Sequence, residues 1–245
     1  MRYIGSHYIK SAPTELIAQE AIQLLSRPEY ARDGFTVQAM LLLVIGLDGN
    51  TEFDKANDML KQAQDLALEI GMNHRAFAVL NGEGLAVLEE SWRRTWWELY
   101  VIDGMIAGVH QSTSFRLNEI PIEVLLPCEE QEYVSGVSFP ASHALQKLTS
   151  QQIPLPHSFD EFEDQAFAEE NVNFSSFTYR IAAIRNLGRV LQLQRILFMD
   201  DPVVDQIDAY LVNWNLHLPS SKKLAIDGDG NVDEMLFQGQ MVTNG

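Results

Sequence analysis

The sequence predicts an all-α protein of about seven to nine irregularly arranged helices, interrupted by one acidic, proline-rich connection. Three observations carry that reading. Apolar residues recur three or four positions apart over long stretches, the spacing of a helix face. No stretch shows the sustained alternation, bounded by hairpin turns, that marks a strand. Five prolines (121, 127, 140, 154 and 156) crowd into residues 111–157, a density that breaks any long helix.

The elements follow in order. Pro13 and Thr14 open an amphipathic run to about Ser26, with proline suited to a first helical turn. Residues 34–47 are apolar almost throughout and read as a buried helix, stopped by the turn Asp48-Gly49-Asn50. Thr51 with Asp54 resembles a capping box with a shortened acid, and Phe53, Ala56, Leu60, Ala63, Ala67 and Ile70 then line one helix face. Gly71 is placed to end that helix as its C′ residue. Two helices joined by so short a turn form an antiparallel hairpin.

A long helix is expected over about residues 83–109. It holds three of the four tryptophans within six positions, with Arg93 and Arg94 among them. Such a cluster needs a large core and partners for its guanidinium groups. Residues 118–126 are expected to pack as an extended arm. Further helices are expected over residues 159–167, from about 174 to 199, over 203–217 and towards the C-terminus.

Composition bounds the class. A 46% hydrophobic content is ample for a packed core, and 245 residues fit one helical domain over 1–245. The longest apolar stretches, such as residues 37–45, fall short of the ~20 residues that span a bilayer, and the N-terminus has no signal-peptide pattern. Cys128 is the one cysteine, so the chain forms no internal disulfide and no multi-cysteine metal site, which favours a reducing, intracellular setting. The formal net charge is −17, and residues 117–179 carry eleven acids against one base, Lys147. A phosphate backbone would repel such a chain, so no direct nucleic-acid binding is expected; a solvated acidic surface is the plain reading.

Sites for chemistry are sparse. There is no glycine-rich phosphate loop, no Gly-x-Ser-x-Gly elbow and no His-Glu-x-x-His pair. The six histidines lie at no ligand spacing. Asp227, Asp229, Asn231 and Asp233 alternate as in a calcium loop, but Val232 and Gln238 stand where glycine and a bidentate glutamate are needed, so a surface turn is expected. The acids beside Cys128 would raise its thiol pKa, which argues for a packing residue. Asp103, in an apolar run, needs a partner: it is either a catalytic acid or, more in keeping with its setting, a structural tie or cap. Residues 159–167 interleave phenylalanine with acid, which suits an acidic activation segment or an amphipathic helix with Phe159, Phe162 and Phe167 inward.

In order along the chain, four segments resemble the middle homology region of fungal binuclear zinc-cluster transcription factors. Residues 63–75 end in Ile70-Gly71-Met72-Asn73-His74-Arg75, like the family's alanine-rich helix. Residues 89–103 are similar to its most recognisable stretch, E-x-x-R-R-x-W-W-x-hydrophobe-aromatic-x-hydrophobe-D, through Glu90, Arg93, Arg94, Trp96, Trp97, Tyr100 and Asp103. Leu126-Pro127-Cys128-Glu129-Glu130 and Tyr133 resemble an acidic segment of one branch, and residues 173–177 and 214–219 resemble later helices of that branch. The resemblance covers about residues 15–240.

It implies a nuclear regulatory domain, non-enzymatic, that in relatives lies between a DNA-binding zinc cluster and an activation region. Such a domain would control RNA polymerase II transcription through protein partners or coregulators, through a small-molecule effector, or as a homodimer. Arg93, Arg94, Trp96, Trp97, Tyr100 and Asp103 are then structural signature residues, with no catalytic, cofactor or metal ligands in this chain. Two departures stand out. The family's zinc cluster takes six cysteines and this sequence has one; an excised fragment, a truncated product and a natural cluster-less protein all fit that. Position 104 is glycine where the family usually has arginine. The alternative reading is a stand-alone protein-interaction cofactor of the same fold, and an enzyme on a helical scaffold is a third class. A domain ending among its last helices is also expected to expose apolar surface around Met235, Leu236 and Phe237.

Overall fold

The computed structural model describes residues 1–27, 29, 31–137, 153–165, 174–193, 202–216, 218–226, 228 and 230–244. Among these the protein is all-α, with eleven α-helices, two short 3-10 helices and no strand; Ile226 and Val232 form one isolated antiparallel bridge. The helices gather into two compact units, Met1–Phe77 and Ala78–Gly245, within the stretch read above as one domain.

The first unit holds α1 (Arg2–Ser6), α2 (Thr14–Leu25), α3 (Gly34–Gly49) and α4 (Phe53–Glu69). Asp33 caps α3, its side chain accepting the Thr36 N–H at 2.9 Å. Helices α3 and α4 pair closely, burying Val37, Val44 and Leu47 of one and Ala63, Leu66 and Ala67 of the other. Tyr3 of α1 seats on Gly46, where a Cβ would lie 2.4 Å from its ring.

The turn between α3 and α4 corrects one expectation. Thr51 does not cap α4; it lies in the left-handed region at φ 63, and Glu52 is the N-cap residue, without a side-chain cap bond. Thr51 instead closes α3: its N–H bonds Asp48 O at 2.9 Å and the Glu52 N–H bonds Leu47 O at 2.9 Å. These are the two bonds of a Schellman ending, whose C′ position is usually glycine. Gly71 makes the same ending for α4 at φ 76, with the Met72 N–H on Ala67 O at 2.8 Å, as its position in the sequence leads one to expect.

The division between the units falls within α5 (Ala76–Asn81). The second unit continues with α6 (Ala86–Val109), a 3-10 turn (Arg116–Glu119), α7 (Glu130–Val137), α8 (Phe159–Gln165), α9 (Ser176–Leu193), α10 (Pro202–Leu216), a 3-10 turn (Ser220–Lys222) and α11 (Glu234–Asn244). Here α9 is the central helix, packed by α6, α10 and α11. Its Ile181 and Ile184 are fully buried. The Trp214 Nε1–H bonds Tyr179 O at 3.0 Å and ties α10 to α9.

Three helices, α1, α5 and α7, lie outside the predicted set, and α7 interrupts the proline-rich connection. The expected apolar patch at the last helix is also corrected. Leu236 is buried, Met235 brings its sulfur to 3.4 Å from Arg180 Nη1, and Phe237 remains exposed. Asp233 starts α11 by accepting the Leu236 N–H at 3.0 Å. Asp227, Asp229, Phe167, Phe198, His217 and Lys147 lie outside the described residues, and with them part of the calcium-loop and helix expectations.

Candidate functional site

The signature residues converge on the segment that follows α6. From Phe115 to Cys128 the chain returns along α6 as a largely extended arm, with Phe115, Leu117, Val124 and Leu126 turned into the core. An extended strand without a neighbouring strand has unpaired backbone groups, and these must be satisfied by something else. The carbonyl of His157 takes the Leu126 N–H at 2.7 Å, and side chains of α6 take others. Asp103 accepts the Leu117 N–H at 2.9 Å, at the start of the 3-10 turn. The Trp97 Nε1–H bonds Leu125 O at 2.9 Å. Tyr100 donates its hydroxyl to Asn118 Oδ1 at 3.0 Å and is ringed by Trp97 and Phe115 in edge-on packing.

At the far end of the arm the contacts become ionic. Glu90, fully buried, accepts from Arg93 Nε at 2.9 Å, from Arg94 Nε at 3.0 Å and from the Cys128 backbone N–H at 2.9 Å. Arg94 continues outward to the Cys128 carbonyl at 2.9 Å and to Glu130, with Tyr133 of α7 under its guanidinium at 4.3 Å. Burial works against the Arg94 charge, and Glu130 and Glu90 outweigh it, so its pKa is raised. The planar fork of arginine is what allows these directions at once; a lysine could not reproduce them.

Each sequence-predicted residue therefore has a place. Trp97, Tyr100 and Asp103 grip the arm's first half and Arg94 its end; Arg93 supports Glu90, and Trp96 is buried in the core of α6. Glu90 is the residue the signature list leaves out. Its sequence signals are its place at the head of the E-x-x-R-R stretch and its spacing, three and four residues before Arg93 and Arg94. Asp103 serves as a cap-like acceptor for the arm, the structural alternative of the two weighed for it. The thiol of Cys128 is pushed up to about 12, first by burial and then by the Glu90 charge, so a carboxylate raises it as expected, though one on α6 rather than its sequence neighbours.

Gly104 explains the departure from arginine at that position. A Cβ there would meet Ile184 Cγ2 of α9 at 2.4 Å and the Phe115 ring at 3.3 Å. Gly108, one turn on, faces Leu187 in the same way. The two helices approach closely along this edge. The Phe159 and Phe162 side chains of α8 turn inward against Trp97, Phe174 and Tyr179, and Glu163 reaches Arg189 at 3.3 Å and Arg185 at 3.7 Å. This is the amphipathic-helix arrangement of that segment.

Beyond the arm lies a cavity of about 400 Å³. Its apolar wall is Leu126, Pro127, Pro154, Leu155, Pro156 and Phe174; its polar wall includes Glu129, Glu132, His157, Ser175, Thr178 and Lys222. Lys222 pairs with Glu129 and bonds Ser176 Oγ at 2.6 Å. Glu129 also accepts the Ser176 N–H at 3.3 Å, at the start of α9. Among the described residues no group of three or more His, Cys, Asp or Glu side chains is placed to hold a metal ion. No helix of the described residues is long and apolar enough to cross a membrane.

The sequence profile of the fungal specific transcription factor domain matches residues 31–215. The chain belongs to that family. It is 43% identical over 245 residues to the C6 finger domain transcription factor iacK of Pestalotiopsis fici, covering 100% of this chain and 34% of that protein. The chain thus spans about a third of the length of that curated relative. No solved structure matches it. The family match covers parts of both compact units, and within it lie the signature helix, the arm and the start of α9.

Proposed function

We propose that the chain is the regulatory domain of a nuclear transcription regulator, acting through protein or small-molecule contacts and making no contact with DNA itself. One observation supports this most directly. The charged groups of the tryptophan helix are engaged in fixing the acidic arm. Arg94 and Glu90 hold its end and Asp103 its beginning. Residues that hold an extended segment in one place set a conformation; they do not face a substrate. The strongly acidic balance of the chain accords with the absence of a DNA-contacting role, and in the relative named as a C6 finger transcription factor the matching region is a third of a longer regulator.

The test is a tethering assay. The chain is inserted between a heterologous DNA-binding module and a constitutive activation segment, and reporter output in yeast nuclei is compared with a fusion lacking it. The reading predicts a several-fold change in output that Arg94→Lys diminishes. Equal output with and without the chain contradicts it, as does nanomolar, salt-sensitive DNA binding by the chain alone.

A further inference from the structure

We propose that the cavity between the arm, residues 154–157 and the start of α9 is the effector site of this domain, and that it takes a small organic ammonium ion with an apolar body. The proposal rests on the regulatory reading above and names the ligand class. At about 400 Å³ the cavity is in the range of small-ligand pockets. Three prolines, Leu126 and Phe174 give it an apolar wall without hydrogen-bonding demand, and Leu155 stands at its mouth, 89% exposed.

The polar side decides the charge. The hydroxyls beside Phe174 are already engaged: Ser175 Oγ donates to Pro127 O at 2.7 Å and lies 3.0 Å from Thr178 Oγ1. What remains is ionic and unbalanced. Two carboxylates line the cavity beside one ammonium, Lys222: Glu129, which pairs with it, and Glu132, exposed at the rim, which accepts the Glu129 N–H at 2.9 Å through one oxygen. That ammonium is further shared, because Ser176 Oγ, which accepts from Lys222, donates in turn to Asp233 Oδ2 at 2.5 Å. His157, on the opposite side, has Glu161 on its Nδ1 at 3.1 Å. The surplus stands at a partly open cleft, so a cation finds complementary charge and an anion meets repulsion. Glu129 directly follows Cys128, the end of the arm that Glu90 holds, so a cation bound there is read out through the position of that end.

Calorimetric titration of the purified 245-residue chain with three probes that share a phenylethyl body, 2-phenylethylamine, 3-phenylpropionate and 2-phenylethanol, tests this. The amine is expected to bind at one site per chain, with the acid and alcohol weaker by about tenfold or more. Glu132→Gln and Leu155→Arg, both at exposed positions, are each expected to weaken the amine by about tenfold. No amine binding, equal binding of all three probes, or amine binding untouched by both variants overturns the proposal. The tethering assay stands apart from these outcomes, so a failed site and a failed regulatory reading are told apart.

Discussion

The buried carboxylate of Glu90 accepts the backbone N–H of Cys128 at 2.9 Å, joining the tryptophan helix to the end of the arm 38 residues later. The same carboxylate neutralises Arg93 and Arg94. Removing one member of a buried ion network leaves the others uncompensated, at about 3–5 kcal/mol. Glu90→Gln is therefore expected to lower stability by about 3 kcal/mol or more, read from the urea midpoint. A change under about 0.5 kcal/mol, the scale of surface substitutions, would contradict the role given to Glu90.

At the other end of the arm, Asp103 is 6% exposed and accepts the Leu117 N–H. Asp103→Ala strands that buried donor at about 1–3 kcal/mol. Asp103→Asn keeps an acceptor oxygen and should cost clearly less. Equal losses for the two variants in denaturant melts would show that charge, not the hydrogen bond, is what counts there.

Thr51 and Gly104 give opposite expectations about glycine. Thr51 sits at φ 63. Relief of about 1–2 kcal/mol of left-handed strain, less about 0.4–1 kcal/mol of added chain entropy in the unfolded state, makes Thr51→Gly stabilising by about 1 kcal/mol. Gly104→Ala, by contrast, forces a methyl onto Ile184 and should cost about 1–3 kcal/mol. Thermal melts of both variants check the two signs together.

The Cys128 thiol, ordinarily near 9.0, is raised to about 12, mainly by burial, and the Tyr179 phenol is raised from 10.0 to about 12 for the same reason. A folded-state pKa above the unfolded one means the unfolded state gives up its proton first as pH rises. The contribution is whole below pH 9 and is lost progressively towards pH 12. The urea midpoint should fall across that window, and Cys128→Ala should flatten its lower part. At pH 8 the native thiol should resist Ellman's reagent and react only on unfolding.

Much of this was legible in the residues. The α6 helix announces itself by its tryptophans and by the 3.6-residue rhythm, and Gly71 ends α4 for a local reason, its tolerance of positive φ. Thr51 has the sequence pattern of a cap, a threonine three residues before an acid, but the short turn to α4 places it one residue too early and in the left-handed region. The short helices α1, α5 and α7 owe their form to packing more than to pattern, since helices of 5–8 residues have little stability alone. The close approach at Gly104 depends on Ile184, eighty residues away in the chain, and local spacing carries no trace of it. The cavity is equally non-local: its walls come from residues 126–132, 154–157, 174–178 and 221–222.

The signature helix fixes the acidic arm through directed hydrogen bonds. Native-state hydrogen exchange on wild type and Arg94→Lys tests it most directly, because lysine keeps the charge and loses the fork that spans Glu90, Cys128 O and Glu130. The account predicts faster exchange, by about tenfold or more, at the amides of residues 126–133, with α9 unchanged. Unaltered protection of the arm in that variant would contradict it.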